Sequence, residues 1–269
     1  QEVPITAIIG NPPYAVGQGS GNNTVKRIDY PKLDKSIQDS YKALSESKNT
    51  KLLDVSYIRA FRWASDLLSN QFGVIAFVSN GQFIDSQIAK GLRKSLISEF
   101  NHVYILNLRG DARTKGERRK KEGGNIFSSG SKTPIAISIL IKDNSSVHKL
   151  YYTDIGDYLG TKEKLDKLTD IKSIDGLEWE NILPDPNNDW INQLDANYQR
   201  YMPMFEKNKE SVFVTKNPGI KTHRDSWVYN FSKKELLDNI ERMRLNFNNE
   251  VSRLSSSVDP IKNINKDER

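Results

Sequence analysis

Short apolar runs that alternate with helical segments constrain the fold of this 269-residue chain more than any other feature. Four runs have the length and β-branched composition of buried strands, namely residues 5–9, 72–78, 103–108 and 134–141. Apolar side chains recur at helical spacing over residues 53–68 and 85–100, which predicts two helices. Strands that alternate with helices form a parallel sheet with helices on its faces. The sequence therefore predicts an α/β fold, in which the first run is buried on both faces.

The connections between these segments predict the details of the sheet. Residues 134–141 are reached through a loop instead of a helix, which predicts a hairpin and one antiparallel strand in a mostly parallel sheet. Residues 149–152 are expected to add an edge strand. The periodicity changes near residue 153, where we place a domain boundary. Beyond it we expect a mixed, partly helical region with helices over 161–168 and 232–254.

Two local patterns add to the prediction for the C-terminal region. Ser232 has the character of an N-cap residue, and Glu235 three positions later would complete a capping box. Trp227, Tyr229 and Phe231 alternate with polar residues, which predicts a strand with one packed face.

The composition limits the classes of partner and of site. The net charge of +6 and the pI of about 9.2 favour an anionic partner, of which nucleic acid is the most usual. The chain has no cysteine, which excludes disulfides and thiolate metal sites, and its three histidines lack the paired spacing of a zinc site. We find no apolar run of the ~18 residues that a membrane span needs, and no signal peptide. We therefore expect a cytoplasmic protein with no metal and no membrane partner.

The tetrapeptide Asn11-Pro12-Pro13-Tyr14 directly follows the first predicted strand. An exocyclic amino group of a base is a poor nucleophile, and an enzyme that modifies it must hold the base outside the helix. The side-chain carbonyl of Asn11 and the backbone carbonyl of Pro12 can accept the two amino hydrogens, and the prolines fix φ. Tyr14 offers a face for stacking, which contributes ~1–3 kcal/mol per base. The alternative is that the two prolines only terminate the strand.

Residues 109–133 are rich in charge and glycine, and we expect them to form a loop. Its eight basic residues outnumber three acidic ones, and they are Arg109, Arg113, Lys115, Arg118, Arg119, Lys120, Lys121 and Lys132. A basic loop beside a catalytic edge is suited to phosphate contacts. The alternative is a solvated loop without a partner.

The order of these segments resembles the second half of the catalytic domain of gamma-type amino-methyltransferases, in which Asn-Pro-Pro-Tyr is the catalytic motif. More narrowly, the chain resembles the single-chain Type ISP restriction-modification enzymes from about residue 5 to residue 232. The segments that carry this resemblance are YIRAFRWAS (57–65), GVIAFVSNGQFID (73–85), LNLRGDART (106–114), GNIFSSGSKTPIAISILIK (124–142), IGDYL (155–159), DWINQ (189–193) and GIKTHRDSWVYNFS (219–232).

The resemblance implies a partial Rossmann-like methyltransferase sheet. Residues 1–153 would be the C-terminal half of the catalytic domain, and residues 154–269 the linker and the start of the target recognition region. The implied reaction transfers a methyl group from S-adenosylmethionine to N6 of a flipped adenine in double-stranded DNA. The implied partners are that DNA and the nuclease and helicase domains of the same polypeptide.

The resemblance also implies roles for single residues. Asn11, Pro12, Pro13 and Tyr14 would hold the target adenine. Phe127 would close the other side of the flipped base, or alternatively anchor its loop in the core. The DNA contacts would come from Arg113, Arg118, Arg119, Lys120 and Lys121. Asp54 and Tyr57 would line the cofactor pocket, although helix capping explains Asp54 equally well.

The main cofactor-binding motif of the family precedes the catalytic motif and does not occur in this sequence. We therefore expect weak or absent cofactor binding and no methyl transfer by this chain alone. Two alternatives stay open. The chain is a DNA-binding or specificity module without catalytic activity, or its substrate is RNA or protein glutamine. The basic loop disfavours a protein substrate, and the restriction-enzyme segments disfavour RNA.

Overall fold

The computed structural model describes residues 5–13, 29–45, 50–68, 72–127, 131–195, 197–206, 210–217, 219 and 225–255. The chain forms two compact units, Gln1–Asp195 and Ala196–Arg269. The boundary that we predict near residue 153 lies inside the first unit, and the division into catalytic and recognition regions stays a prediction. Within the described residues, no helix is long and apolar enough to cross a membrane.

A six-stranded sheet organises the described part of the first unit. Its strands are β1 (Ala7–Gly10), β2 (Gly73–Asn80), β3 (His102–Arg109), β4 (Ile135–Lys142), β5 (Lys149–Asp154) and β6 (Glu180–Ile182). The order across the sheet is β1-β2-β4-β3-β5-β6. The strands β1, β2, β3 and β5 run in one direction, and β4 lies between β2 and β3 in the opposite direction. The predicted α/β fold with its antiparallel hairpin strand is therefore confirmed.

The short strand β6 is a second antiparallel strand, which the sequence analysis does not predict. It pairs with β5, so β5 is an interior strand and not the expected edge strand. A strand of only three residues carries too little alternation to be recognised in a sequence.

The described ranges contain seven α-helices, five in the first unit and two in the second. They are α1 (Pro31–Ile37), α2 (Ser56–Leu68), α3 (Lys90–Glu99), α4 (Gly116–Glu122), α5 (Thr161–Ile171), α6 (Asp225–Val228) and α7 (Lys233–Ser255). The helix predicted over 85–100 begins only at Lys90, because two 3₁₀ turns occupy Gly81–Ile84 and Gln87–Ala89. Asn80 caps the first of these turns by accepting a hydrogen bond from the backbone N–H of Gln82 at 3.0 Å.

Each face of the sheet carries its own apolar cluster. On one face, α2 and α3 contribute fully buried side chains such as Phe61 and Leu96. On the other face, Leu108 and Ile135 of the sheet pack with Leu168 of α5. Each fully buried side chain of this size stabilises the fold by about 1.5–3 kcal/mol, so the two clusters fix the sheet between its helices.

The strand β1 differs from the expectation that it is buried on both faces. Its side chains alternate between exposed and half-buried, and Ile9 is 84% exposed. Among the described residues β1 pairs only with β2, so it lies at the edge of the sheet. Apolar composition alone predicts a buried strand, but the position in the sheet decides the burial.

The second unit corrects the prediction for Trp227, Tyr229 and Phe231. Residues Asp225–Val228 form the short helix α6, not a strand, and Tyr229 and Phe231 are exposed. The ring of Trp227 lies 5.9 Å from the guanidinium of Arg242 on α7. The alternation therefore does not come from a strand with one packed face.

The start of α7 confirms the predicted N-cap but not the capping box. The Ser232 hydroxyl accepts a hydrogen bond from the backbone N–H of Glu235 at 3.3 Å. The carboxylate of Glu235 accepts one from the side chain of Asn230 instead of completing the box, and the Ser232 N–H donates to that same Asn230. Asn230, which lies outside the capping-box motif, thus accepts the hydrogen bond from the Ser232 N–H that Glu235 would accept in a capping box.

Candidate active and DNA-binding site

The four parallel strands end at the same edge of the sheet. In open α/β sheets, ligands bind outside the carboxyl ends of the strands. Asn11, Pro12 and Pro13 directly follow β1, and the basic segment 109–133 begins at the end of β3. In sheet order β2 and β4 separate β1 from β3, which puts these two segments about 14 Å apart at ~4.8 Å per strand. One edge therefore presents both predicted parts of the site.

The segment after β1 lies where the sequence predicts it. Pro12 is buried, whereas Asn11 and Pro13 are exposed. Pro13 borders a largely apolar cleft together with Tyr30 and Trp63, and the Trp63 side chain is 51% exposed. Tyr14 lies outside the described residues, so its predicted stacking role is not tested.

The basic segment is not the bare loop that we expect from its composition. Residues Gly116–Glu122 form the helix α4, and glycines with positive φ lie at both of its ends, Gly116 at +60° and Gly123 at +64°. Between them the residues are glutamate, arginine and lysine, which are good helix formers. The helix α4 has no apolar side chain, so its sequence lacks the periodicity that predicts a helix, and the two glycines mark its ends.

The basic side chains of α4 are not equivalent. Arg118 and Lys120 are 68% and 72% exposed, and their acidic neighbours Asp85 and Glu117 lie at 3.6 and 3.4 Å. Exposed pairs of this kind contribute little to stability, so both cations are accessible to another anion. The guanidinium of Arg119, in contrast, donates to the carbonyl of Gly123 at 2.6 Å.

Arg113 is more strongly engaged than Arg118 and Lys120, whereas Lys121 is less exposed than either but has an ion pair of similar length. Lys121 lies 3.4 Å from Asp157. Arg113 donates to both carboxylate oxygens of Asp111, and two of its guanidinium nitrogens lie 2.6 and 3.0 Å from the side-chain amide of Gln82, whose oxygen accepts from them when the amide is turned toward Arg113. Burial alone would raise the pKa of Asp111, but the hydrogen bonds from Arg113 outweigh it and hold the pKa below its ordinary value. Arg113 thus joins the segment after β3 to the turn after β2.

A cleft of about 800 Å³ lies between the segment after β3 and the turn after β2. Its charged lining consists of the acidic Asp85, Asp111, Glu122 and Asp154 and the basic Arg109, Arg118 and Lys121. Arg109 is paired with Asp154 at 2.6 Å and with Asp157 at 2.5 Å. A lining of mixed charge suits a polar group with donors and acceptors, whereas the exposed side of α4 suits phosphate.

Phe127 lies beyond α4 and is 38% exposed. Its backbone N–H donates to the side chain of Asn125, which itself donates to the carbonyls of Gly110 and Thr133. The neighbouring Ile126 packs against the apolar cluster. The geometry therefore does not support the interpretation of Phe127 as a core anchor.

The two predicted cofactor contacts differ in their fit. Tyr57 is 5% exposed and borders a small, mainly apolar cleft that also includes Gln82 and Arg113. Such a cleft fits a flat organic group, and burial raises the pKa of the Tyr57 phenol, which keeps it neutral. The carboxylate of Asp54, however, is nearly buried and forms an ion pair with Lys42 at 2.7 Å. Tyr57 fits a cofactor contact better than Asp54, and both roles stay predictions.

Two residues near this edge escaped the sequence analysis. Gln82 lies in one of the segments that resemble the family, but the sequence predicts no role for it. Lys164 on α5 is fully buried, and its ammonium donates to one backbone carbonyl at the end of β3 and to two in the basic segment. The signal for Lys164 is its spacing, because Lys164, Leu168 and Ile171 follow the i, i+4, i+7 pattern of a buried helix face. Among the described side chains, no group of three or more His, Cys, Asp or Glu could hold a metal ion.

Comparison with known families and structures supports the resemblance seen in the sequence. The family described as Type ISP C-terminal specificity domain matches residues 211–269. A comparison with curated protein sequences found no match.

Three solved structures match almost the whole chain. A nuclease-deletion mutant of the Type ISP restriction-modification enzyme LlaGI, in complex with a DNA substrate mimic, is 57% identical with a TM-score of 0.83. The ATP-dependent Type ISP enzyme LlaBIII bound to DNA is 39% identical, and a DrdV–DNA complex is 34% identical, each with a TM-score of 0.79. Each match covers 94% of this chain, but only 24%, 17% and 26% of the respective structures. The chain thus spans about a quarter or less of the proteins it matches.

Proposed function

We propose that this chain, which is similar over nearly its whole length to a segment of Type ISP restriction-modification enzymes, holds the target base of a DNA adenine-N6 methyltransferase. The observation that carries the proposal is the position of Asn11-Pro12-Pro13 at the carboxyl end of β1. The basic helix α4 follows β3 at the same edge. A base-holding segment and a phosphate-binding surface are thus available to one DNA molecule.

The chemistry of the proposed reaction depends on the hydrogens of the adenine amino group. The side-chain carbonyl of Asn11 accepts one N–H, and the backbone carbonyl of Pro12 accepts the other. As the nitrogen becomes tetrahedral, its lone pair leaves conjugation with the ring and would form the new bond to the methyl carbon while the carbon–sulfur bond of the donor breaks. S-adenosylmethionine, when bound, supplies that methyl group. The surplus proton leaves to water after the transfer, so the proposed reaction needs no dedicated general base.

The rigidity of the segment supports this assignment. Pro12 is buried, its ring fixes φ, and the following Pro13 restricts ψ of Pro12, so the acceptor carbonyl has little freedom. A preorganised acceptor loses no free energy to reorientation when charge develops on the amino group. Phe127 is sufficiently exposed to cover one side of a flipped base, and Tyr14 is proposed to cover the other. Extrusion of the base is required because its amino group is not reachable in the stack.

DNA contacts are proposed for two surfaces. Arg118 and Lys120 present charge on the exposed side of α4 and would contact phosphates. Residues 211–269 match a specificity domain and would contribute to reading the sequence. One of the matching proteins is a nuclease-deletion mutant and another is ATP-dependent, and by analogy with them the proposed partners in the same polypeptide are a nuclease and a helicase.

The competing proposal is a DNA-binding module without catalysis, which the match to a specificity domain favours for residues 211–269. The two proposals differ in the product that is formed. The intact polypeptide is incubated with unmethylated DNA and S-adenosylmethionine, and the DNA is digested to nucleosides for mass spectrometry. We expect N6-methyldeoxyadenosine. Methylcytosine, or DNA binding without any methylated base, would contradict the methyltransferase assignment.

A further inference from the structure

The N-terminal part of α5 is in contact with the basic segment through a set of polar contacts that centre on Lys164. The side chain of Lys164 is fully buried, and its ammonium donates to the carbonyls of Leu108 at 2.9 Å, Glu122 at 2.8 Å and Gly124 at 2.7 Å. These carbonyls belong to the end of β3, the last residue of α4 and the chain that leads to Phe127. A single ammonium group therefore joins three segments that border the proposed DNA site.

Neighbouring contacts make the same connection. The Thr161 hydroxyl donates to the carbonyl of Asn125 at 2.8 Å. The backbone N–H of Gly124 donates to the carbonyl of Leu159 at 2.9 Å, and the backbone N–H of Tyr158 donates to the carbonyl of Lys121 at 3.1 Å. Residues 158–164, here termed the mount, thus hold the basic segment in place through these hydrogen bonds. The mount contacts both sides of the turn between α4 and Phe127.

We propose that Lys164 is a positioning residue, which places the basic helix α4 and the Phe127 loop for DNA. The inference rests on the proposed function and deepens it, because it assigns the geometry of the site to a residue that does not itself touch DNA. An ammonium group has three N–H donors, which match the three carbonyls one to one. A neutral amine has only two, so one carbonyl loses its donor when the proton leaves.

The surroundings of Lys164 make this loss relevant near neutral pH. Burial lowers the pKa of the Lys164 ammonium to about 8, whereas an ordinary lysine has a pKa about two units higher. The charged groups that face it are Glu122 and Arg119 on α4, Arg109 on β3 and Asp154 on β5. The carboxylates oppose the loss of the proton and the guanidinium groups favour it. As the pH rises through the pKa of Lys164, a growing fraction of the molecules therefore lacks a donor for one of the three carbonyls.

The test compares DNA affinity across pH in the intact polypeptide at constant ionic strength. For the unmodified protein we expect weaker binding as pH rises from 7 to 9, centred near the pKa of Lys164. In Lys164→Met the affinity should fall by roughly tenfold or more at pH 7, since a hydrogen bond to a charged group shifts an equilibrium by that factor. Its remaining affinity should no longer change between pH 7 and 9.

Two further variants keep the test decisive if Lys164→Met folds poorly. Thr161→Val removes the hydroxyl that donates to Asn125 but keeps the ammonium, so we expect a smaller loss of affinity and an unchanged pH profile. Lys167→Met is the matched control, because Lys167 lies on the same helix but donates to Ile155, outside the basic segment. We expect this control to bind DNA like the unmodified protein at every pH.

A parallel variant separates this inference from the proposed function. Arg118→Gln with Lys120→Gln removes the proposed phosphate contacts and leaves the mount intact. If this double variant weakens DNA binding while Lys164→Met and the pH profile match the unmodified protein, the positioning role is overturned and the DNA contact stands. If neither variant changes DNA binding, both are overturned.

Discussion

The guanidinium group of Arg93 is completely buried and lies 2.6 Å from the carboxylate of Asp189. Arg93 also donates to the backbone carbonyls of Phe83, Ser86 and Asn188. It thereby fixes the segment around residue 190 to the turns that follow β2, which border the cleft at the carboxyl edge.

Removal of Asp189 should destabilise the first unit. Asp189→Ala leaves the buried cation of Arg93 without its carboxylate, and breaking such a pair costs about 3–5 kcal/mol. Chemical denaturation of the variant and of the unmodified protein gives the difference in unfolding free energy. Asp170→Ala is the control, since Asp170 is exposed on α5, and it should change stability by less than about 0.5 kcal/mol. Equal changes in unfolding free energy for Asp189→Ala and Asp170→Ala would show that the buried pair does not stabilise the fold.

The two glycines that flank α4 should differ in their tolerance of a side chain. Both have positive φ, so an alanine at either position is strained, and Gly123 with ψ −150° lies in a backbone region that is essentially restricted to glycine. A Cβ at Gly116 meets no atom within 4 Å, but a Cβ at Gly123 would lie 2.0 Å from the carbonyl oxygen of Leu159. We therefore expect Gly123→Ala to lower the unfolding free energy clearly more than Gly116→Ala. Thermal denaturation of the pair measures this, and a similar loss in both would contradict the contact between α4 and the mount.

Neutralisation of the exposed cations of α4 should reduce the salt dependence of DNA binding. Each phosphate contact contributes about 0.9 to the slope of log K against log salt concentration. Arg118→Gln with Lys120→Gln should therefore reduce the magnitude of the slope by about two. Lys94→Gln with Lys149→Gln removes the same charge from α3 and from the amino end of β5, and should leave the slope nearly unchanged. An unchanged slope in the α4 variant would exclude these phosphate contacts.

Loss of the Phe127 ring should affect the reaction more than the fold. Stacking on a base contributes ~1–3 kcal/mol, so Phe127→Ala should reduce methyl transfer about tenfold or more. The ring is 38% exposed and lies outside the apolar clusters, so the melting temperature should change little. Phe72→Ala removes a comparable exposed ring before β2 and serves as the control. A large loss of stability without a loss of transfer would return Phe127 to a structural role.

The sequence predicts those elements that have a strong periodicity of their own. The strands β2, β3 and β4 and the helix α2 agree with their apolar patterns to within a few residues. The antiparallel direction of β4 is correctly predicted from a connection without apolar helical periodicity, although the short charged helix α4 lies in that connection. Local patterns of this kind are sufficient because burial of one face determines each element.

The same patterns fail where partners distant in the chain decide the structure. Arg93 and Lys164 are charged residues that a sequence places on the surface, yet both are buried because backbone carbonyls from other segments surround them. The exposure of Ile9 depends on the position of β1 in the sheet, and the polarity of α4 hid its helical structure. The predicted contact at Asn11 came from the chemistry of its tetrapeptide and that at Phe127 from resemblance, and their positions at one edge of the fold came only from the structure.

The most direct test of the central claim is methyl transfer by Asn11→Ala in the intact polypeptide. Removal of one preorganised hydrogen-bond partner of a transition state costs about a hundredfold or more in rate, and DNA affinity should remain because α4 is unchanged. Asn181→Ala, at an exposed position on β6, should transfer methyl groups at the normal rate. Formation of N6-methyladenine at the same rate by Asn11→Ala and Asn181→Ala would contradict the assignment of the target-base site to Asn11.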